Sequence, residues 1–98
     1  MKIIDSNEFA ARAKGQNIFI VQFSASWCGP CKTLTKTIEA NEEKFSNEIY
    51  KIDIDDNKEL ASVLQIKSLP TIIRFENELE VKRLVGNQTF EQLAELTL

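Results

Sequence analysis

The sequence predicts an α/β domain: a mixed central β-sheet of four to five strands with helices packed on both faces. Three observations carry this expectation. Apolar residues recur at helical spacing in four segments and at strand-like density in four others, and the two kinds alternate. An early strand–helix–strand unit implies parallel strands joined by a right-handed crossover, and two closing strands read as a hairpin that adds an antiparallel edge. The 98 residues suffice for one domain, residues 1–98, with no linker, repeat or low-complexity stretch to mark a second.

Taken in order, Asp5 or Ser6 can cap a first helix bearing Phe9, Ala10 and Ala13 on one face, closed by Gly15. Asn17–Phe23 is too apolar for a strand with one wet face, so it reads as a central strand covered on both sides. Ser24–Gly29 forms the turn into a second helix, with Pro30 in the first turn, where a missing N–H is harmless. Leu34, Ile38 and Phe45 extend that helix over about four turns, and Glu39–Lys44 reads as its solvated face. Glu48–Asp55 is a strand, and Asp56 or Asn57 caps a short helix carrying Leu60, Ala61 and Leu64. Thr71–Phe75 and Leu79–Val85 are strands separated by Glu76, Asn77 and Glu78, and Gly86 breaks the second. Thr89 and Gln92 have capping-box spacing, opening a last helix with Phe90, Leu93, Ala94 and Leu96 inward.

Composition excludes several function classes. The net charge is −3 and the basic residues form no run, so no nucleic-acid footprint is visible. The longest apolar stretch, Ile18–Val21, is far too short to span a bilayer, and Met1–Asp5 has no signal-peptide character. A soluble cytoplasmic protein with no membrane partner is therefore expected, in a compartment where lasting structural disulfides are rare.

The chain has two cysteines, Cys28 and Cys31, three residues apart. On the first turn of a helix this spacing puts both thiols on one face, near enough to form a disulfide. Unpaired N–H groups and the positive dipole end surround the first sulfur and favour its thiolate, the nucleophilic form. Cys31, one turn further in, should be more shielded. Cys28 then attacks and Cys31 resolves. Gly29 leaves room for an incoming disulfide, and Pro30 stiffens the turn. Zinc would need about four ligands, and with no histidine it would have to recruit carboxylates or a second chain. A purely structural role is a poor use of the pair, because so short a loop gains only about 2 kcal/mol from chain entropy. Chance placement sits badly beside Trp27, Gly29 and Pro30.

The segment Phe23–Lys32, containing Trp-Cys-Gly-Pro-Cys-Lys, resembles the active-site segment of the thioredoxin family, and the likeness extends over nearly the whole chain. A C-x-x-C pair beside a βαβ pattern is itself a known signature of such a redox motif. Tyr50–Asp55 is similar to the family's central strand, with Lys51 in the place of a buried lysine. Ser68-Leu69-Pro70-Thr71 is similar to its cis-proline loop, and Gly86 falls where the family has a glycine near the substrate groove. The resemblance implies the thioredoxin fold, a cis Leu69–Pro70 bond, and protein-disulfide reduction with no cofactor beyond the Cys28–Cys31 disulfide. It also implies disulfide-containing client proteins, recharging by a thioredoxin reductase, and a monomer. Trp27, Gly29, Pro30, Leu69, Pro70 and Gly86 become the candidate substrate surface, with the Leu69 backbone free to pair with an extended client.

The departures concern the surroundings of the thiols. Gln22 stands where most members carry a buried aspartate, and a glutamine accepts no proton at neutral pH. Gln22, Lys51 and Lys32 are the candidate tuners of thiol pKa. Without an acidic neighbour, Lys51 should reach solvent or have a depressed pKa, and Cys31 should deprotonate more slowly. Ser24 replaces a common aromatic, Lys36 replaces a kinking proline, and Asn77-Glu78 replaces an Asn-Gly turn, so the hairpin loop should differ. These changes admit an alternative: a divergent member serving one client system, or acting as a binding subunit.

Overall fold

A computed structural model describes residues 1–98. Its elements are α1 (Ser6–Gly15), β1 (Ile18–Ser24), α2 (Gly29–Glu39), β2 (Ile49–Asp53), α3 (Lys58–Val63), β3 (Thr71–Glu76), β4 (Leu79–Val85) and α4 (Phe90–Thr97). The sheet is four-stranded in the order β2-β1-β3-β4, so the predicted architecture is the observed one. β1 pairs parallel with β2 and antiparallel with β3, and β4 is the antiparallel edge. A single parallel bridge from Ile3 to Lys51 extends the sheet beyond β2.

β1 is buried from Phe19 to Ser24, as its apolar run requires of a central strand. Its alternate residues feed two cores. Phe19, Val21 and Phe23 meet Tyr50, Ile52, Ile73 and Phe75 beneath α1 and α3. Ile20 meets Ile49 and Ile72 beneath Leu34 and Ile38 of α2 and Leu93 and Leu96 of α4. The helices therefore cover both faces. None is long and apolar enough to cross a membrane.

Several expected boundaries move. Phe9 and Ala13 pack on the core, but Ala10 is exposed, because a ten-residue helix lying on one sheet face buries a narrower stripe than the sequence suggested. Gly15 is the last helical residue and not the terminator, since Gln16 is the C-cap and turns extended. α2 stops at Glu39, and a single 3₁₀ turn at Glu42–Lys44 then carries Phe45 back to the core. Beyond Glu39 the acidic stretch is thus a solvated 3₁₀ turn and not a face of α2. The second strand is shorter than Glu48–Asp55 at both ends, because Glu48 and Asp55 are solvent-exposed. Asn57 is the N-cap of α3 without a capping bond, because its side chain instead accepts from the Ser6 N–H and hydroxyl, at 2.8 and 2.7 Å, and ties α1 to α3. The hairpin loop has two residues and not three: Asn77 (φ 51°) and Glu78 (φ 72°) both have positive φ, the pattern of a type I′ turn. The capping box at Thr89 and Gln92 is formed.

Candidate active site

The register brings distant segments to one sheet end. Phe23 lies opposite Thr71, Ser24 opposite Asp53, and Thr71 opposite Val85. The loops that follow β1 and β2, that precede β3 and that follow β4 therefore converge. This is the carboxyl end of the two parallel strands, where open α/β sheets place their sites. Ala25, Cys28 and Cys31 form a small core of their own, packed against Ile54 and Leu69.

Cys28 is the N-cap of α2. Its backbone is extended (φ −88°, ψ 107°), and its sulfur accepts the Cys31 N–H at 3.2 Å. Pro30 occupies a first-turn position, so its missing N–H leaves no gap in the helix ladder. Cys28 and Cys31 are joined as a disulfide, with Cα atoms 5.3 Å apart. As a disulfide neither sulfur titrates. The two are not equally shielded: Cys28 is 5% exposed and Cys31 0%. A groove of about 400 Å³ runs beside Cys28, walled by Trp27, Ile54, Ile66 and Leu69.

Gln22 lies under the pair, completely buried. Its Nε2–H donates to the Cys31 carbonyl at 3.3 Å, and its Oε1 accepts the Thr35 hydroxyl at 3.2 Å. Lys51 is its register partner on β2, but no hydrogen bond or ion pair joins them. No buried side-chain nitrogen or oxygen lacks a partner, so the unbonded Lys51 ammonium reaches solvent. That is the first of the two outcomes expected of it. Lys32 is exposed on α2, outside the groove and without an ion pair, so neither lysine is brought into the thiol site.

The remaining candidates are brought together. Gly29 and Pro30 are exposed at the groove rim. The Leu69–Pro70 bond is cis, and Pro70 is buried behind the groove. Neither the N–H nor the C=O of Leu69 is bonded within the chain. Gly86, at φ 85°, donates its N–H to the Pro70 carbonyl at 2.8 Å and so braces the loop from β4 without lining the groove. Trp27 is 67% exposed, and its indole N–H donates to Asp55 at 2.7 Å.

Sequence reasoning missed Asp55, Thr35 and Lys67. Asp55 was one of several carboxylates at the end of β2 and just beyond it, and nothing along the chain distinguishes it from Asp53 or Asp56. Thr35 lies four residues after Cys31, on the same helix face, and a search for partners of the buried Gln22 would have found it. Lys67, on the groove wall, gave no signal except its place two residues before Leu69.

A mixed α/β sheet that presents a C-x-x-C disulfide at a helix start, beside an apolar groove, defines a dithiol–disulfide oxidoreductase. Comparison with known proteins agrees. The sequence model of the family described as Thioredoxin matches residues 1–97. Thioredoxin of Staphylococcus saprophyticus is 37% identical over 98 residues, covering 98% of this chain and 92% of that protein. The bifunctional thioredoxin reductase/thioredoxin of Mycobacterium leprae is 36% identical over 88 residues, 88% of this chain and 19% of that protein. The solution structure of oxidised thioredoxin from Plasmodium falciparum superposes with a TM-score of 0.86 at 30% identity, covering 97% of this chain and 95% of that one. The chain belongs to the thioredoxin family, and its activity is protein-disulfide reduction through the Cys28–Cys31 redox disulfide.

Proposed function

We propose that Cys28 is the attacking thiol, Cys31 the resolving thiol, and that a thioredoxin reductase returns the pair to the dithiol state in the cytoplasm. The Cys28 thiolate attacks one sulfur of a client disulfide. A mixed disulfide forms, and one client thiolate leaves. Cys31 then loses its proton, and its sulfur attacks the Cys28 sulfur, breaking the mixed disulfide and releasing the second client thiolate. The client gains two electrons and the chain becomes the Cys28–Cys31 disulfide, so a two-electron donor must follow each cycle.

The observation that carries this assignment is the asymmetry of the pair. Cys28 lines the groove and Cys31 is sealed from it. The unbonded Leu69 peptide supports an extended client segment paired alongside, with Trp27 as an apolar contact. The Mycobacterium leprae relative combines, by its name, reductase and thioredoxin in one protein, which supports a reductase as electron donor. A chain whose only two cysteines form this pair suits a reducing compartment.

The test is trapping. Cys31→Ser should accumulate a mixed disulfide between Cys28 and a protein substrate such as insulin, and Cys28→Ser should accumulate none. Trapping through Cys31 in the second variant would reverse the assignment. Turnover with NADPH and a thioredoxin reductase should regenerate the wild-type dithiol, and no turnover with any such reductase would remove that partner.

A further inference from the structure

Of the residues lining the groove beside Cys28, Lys67 alone is charged. Its side chain is exposed and takes part in no ion pair or hydrogen bond within the chain. Lys2 and Arg12 are committed to Glu8, Arg74 to Glu76 and Arg83 to Glu80, and the remaining lysines lie outside this groove. Asp55, next in sequence to the groove residue Ile54, bonds the Trp27 indole N–H. An unpaired ammonium therefore stands on an otherwise apolar wall, two residues before the open peptide of Leu69.

We propose that Lys67 sets client preference: it selects extended segments that carry a carboxylate beside the cysteine to be reduced. The proposal rests on the reading that the client lies in this groove to reach Cys28. Two points make Lys67 a local selector. The chain as a whole is acidic, at −3, so its general field disfavours acidic clients, and any preference for them has to arise at the groove. Pairing to the Leu69 peptide would also fix the client's register, so a client side chain at one position meets Lys67 repeatedly and not by chance. The expected size is that of a partly exposed ion pair, about two- to fivefold in rate constant, weakening with salt.

The experiment uses the full chain in its dithiol form and three disulfide peptides, identical except for Glu, Gln or Lys next to the cysteine. Second-order rate constants for reduction are compared as ratios within each protein. Wild type should prefer Glu over Gln over Lys, by about two- to fivefold per step at low salt. Lys67→Gln should flatten the series and Lys67→Glu should reverse it. Equal ratios in all three proteins would overturn the proposal, as would a Glu preference that survives in Lys67→Glu. Failure of the underlying reading has a separate signature: mixed disulfides that form without Cys28, whatever the ratios.

Discussion

Gln22→Asp places a carboxylate where a fully buried amide now has both ends bonded. The amide donates to the Cys31 carbonyl and accepts from Thr35. Aspartate is shorter and, when ionised, has no donor, so it faces the carbonyl oxygen with nothing to offer it. Burial of this degree raises a carboxyl pKa by up to about 3–5 units. The sign of the consequence follows. The folded pKa lies above the unfolded value of about 3.9, so no ionisation penalty exists below that pH. Above it the penalty grows by about 1.4 kcal/mol per pH unit, until the folded pKa is reached. A shift of about three units costs about 4 kcal/mol by pH 7, against a total stability of about 5–15 kcal/mol for an ordinary domain. The wild-type amide does not titrate. Urea melts should therefore show a wild-type-minus-variant gap that widens by about 2.5 kcal/mol between about pH 5 and about pH 8. Parallel pH curves would refute the reasoning, because they would mean that water reaches this site. The same variant tests the second chemical step. A carboxylate next to the resolving residue adds a proton acceptor, so decay of the mixed disulfide near neutral pH should accelerate by up to about 10²-fold, with an inflection at the aspartate's pKa. An unmoved profile would show that Gln22 does not limit resolution.

Glu78→Gly should stabilise the chain by about 1 kcal/mol, because Glu78 occupies a left-handed conformation that glycine adopts without a Cβ penalty. Calorimetry should register a rise of about 4–8 °C in Tm, and a fall would mean that the turn is not strained as argued. Asp55→Ala removes the acceptor of the Trp27 indole N–H. Trp27 is the only tryptophan, so its fluorescence anisotropy should decay faster, with stability reduced by less than about 1 kcal/mol at so exposed a site. Unchanged anisotropy would show that packing alone orients the ring.

The central strand and the cysteine pair were legible for the same reason: each is written in a short stretch of chain. β1 is covered on both faces and reads as an uninterrupted apolar run. The reactive turn carries its cap, its proline and both sulfurs within Cys28–Cys31. What sequence hid was set by contacts between distant elements. Phe45 keeps helical spacing from Ile38 and enters the same core, yet it arrives after a break and a 3₁₀ turn, and stacks on Phe90 with ring centroids 5.8 Å apart. Periodicity reports which side is buried, not which backbone brings the side chain there. Asn57 looked like an ordinary helix cap, but its carbonyl was drawn across to Ser6. Asp55 and Lys67 acquire meaning only when the loops after β2 and before β3 close around Cys28.

The buried glutamine and the helix start act on the same peptide. The N–H of Cys31 is held by the Cys28 sulfur, and the carbonyl of Cys31 by Gln22. When the disulfide is reduced, Cys28 becomes a stronger acceptor as its thiolate, because a charged acceptor roughly doubles a hydrogen bond's strength. Reduction therefore tightens the cap of α2. In a mixed disulfide the Cys28 sulfur is bonded to the client and loses that charge, so the N–H end of the peptide is held more weakly. The carbonyl end remains fixed, because Gln22 is itself anchored by Thr35 and responds to neither redox state nor pH. An aspartate at this position would offer a base but would surrender that hold once ionised. The glutamine thus trades proton acceptance for a constant position of the resolving residue, at the stage of the cycle when Cys31 must find the Cys28 sulfur.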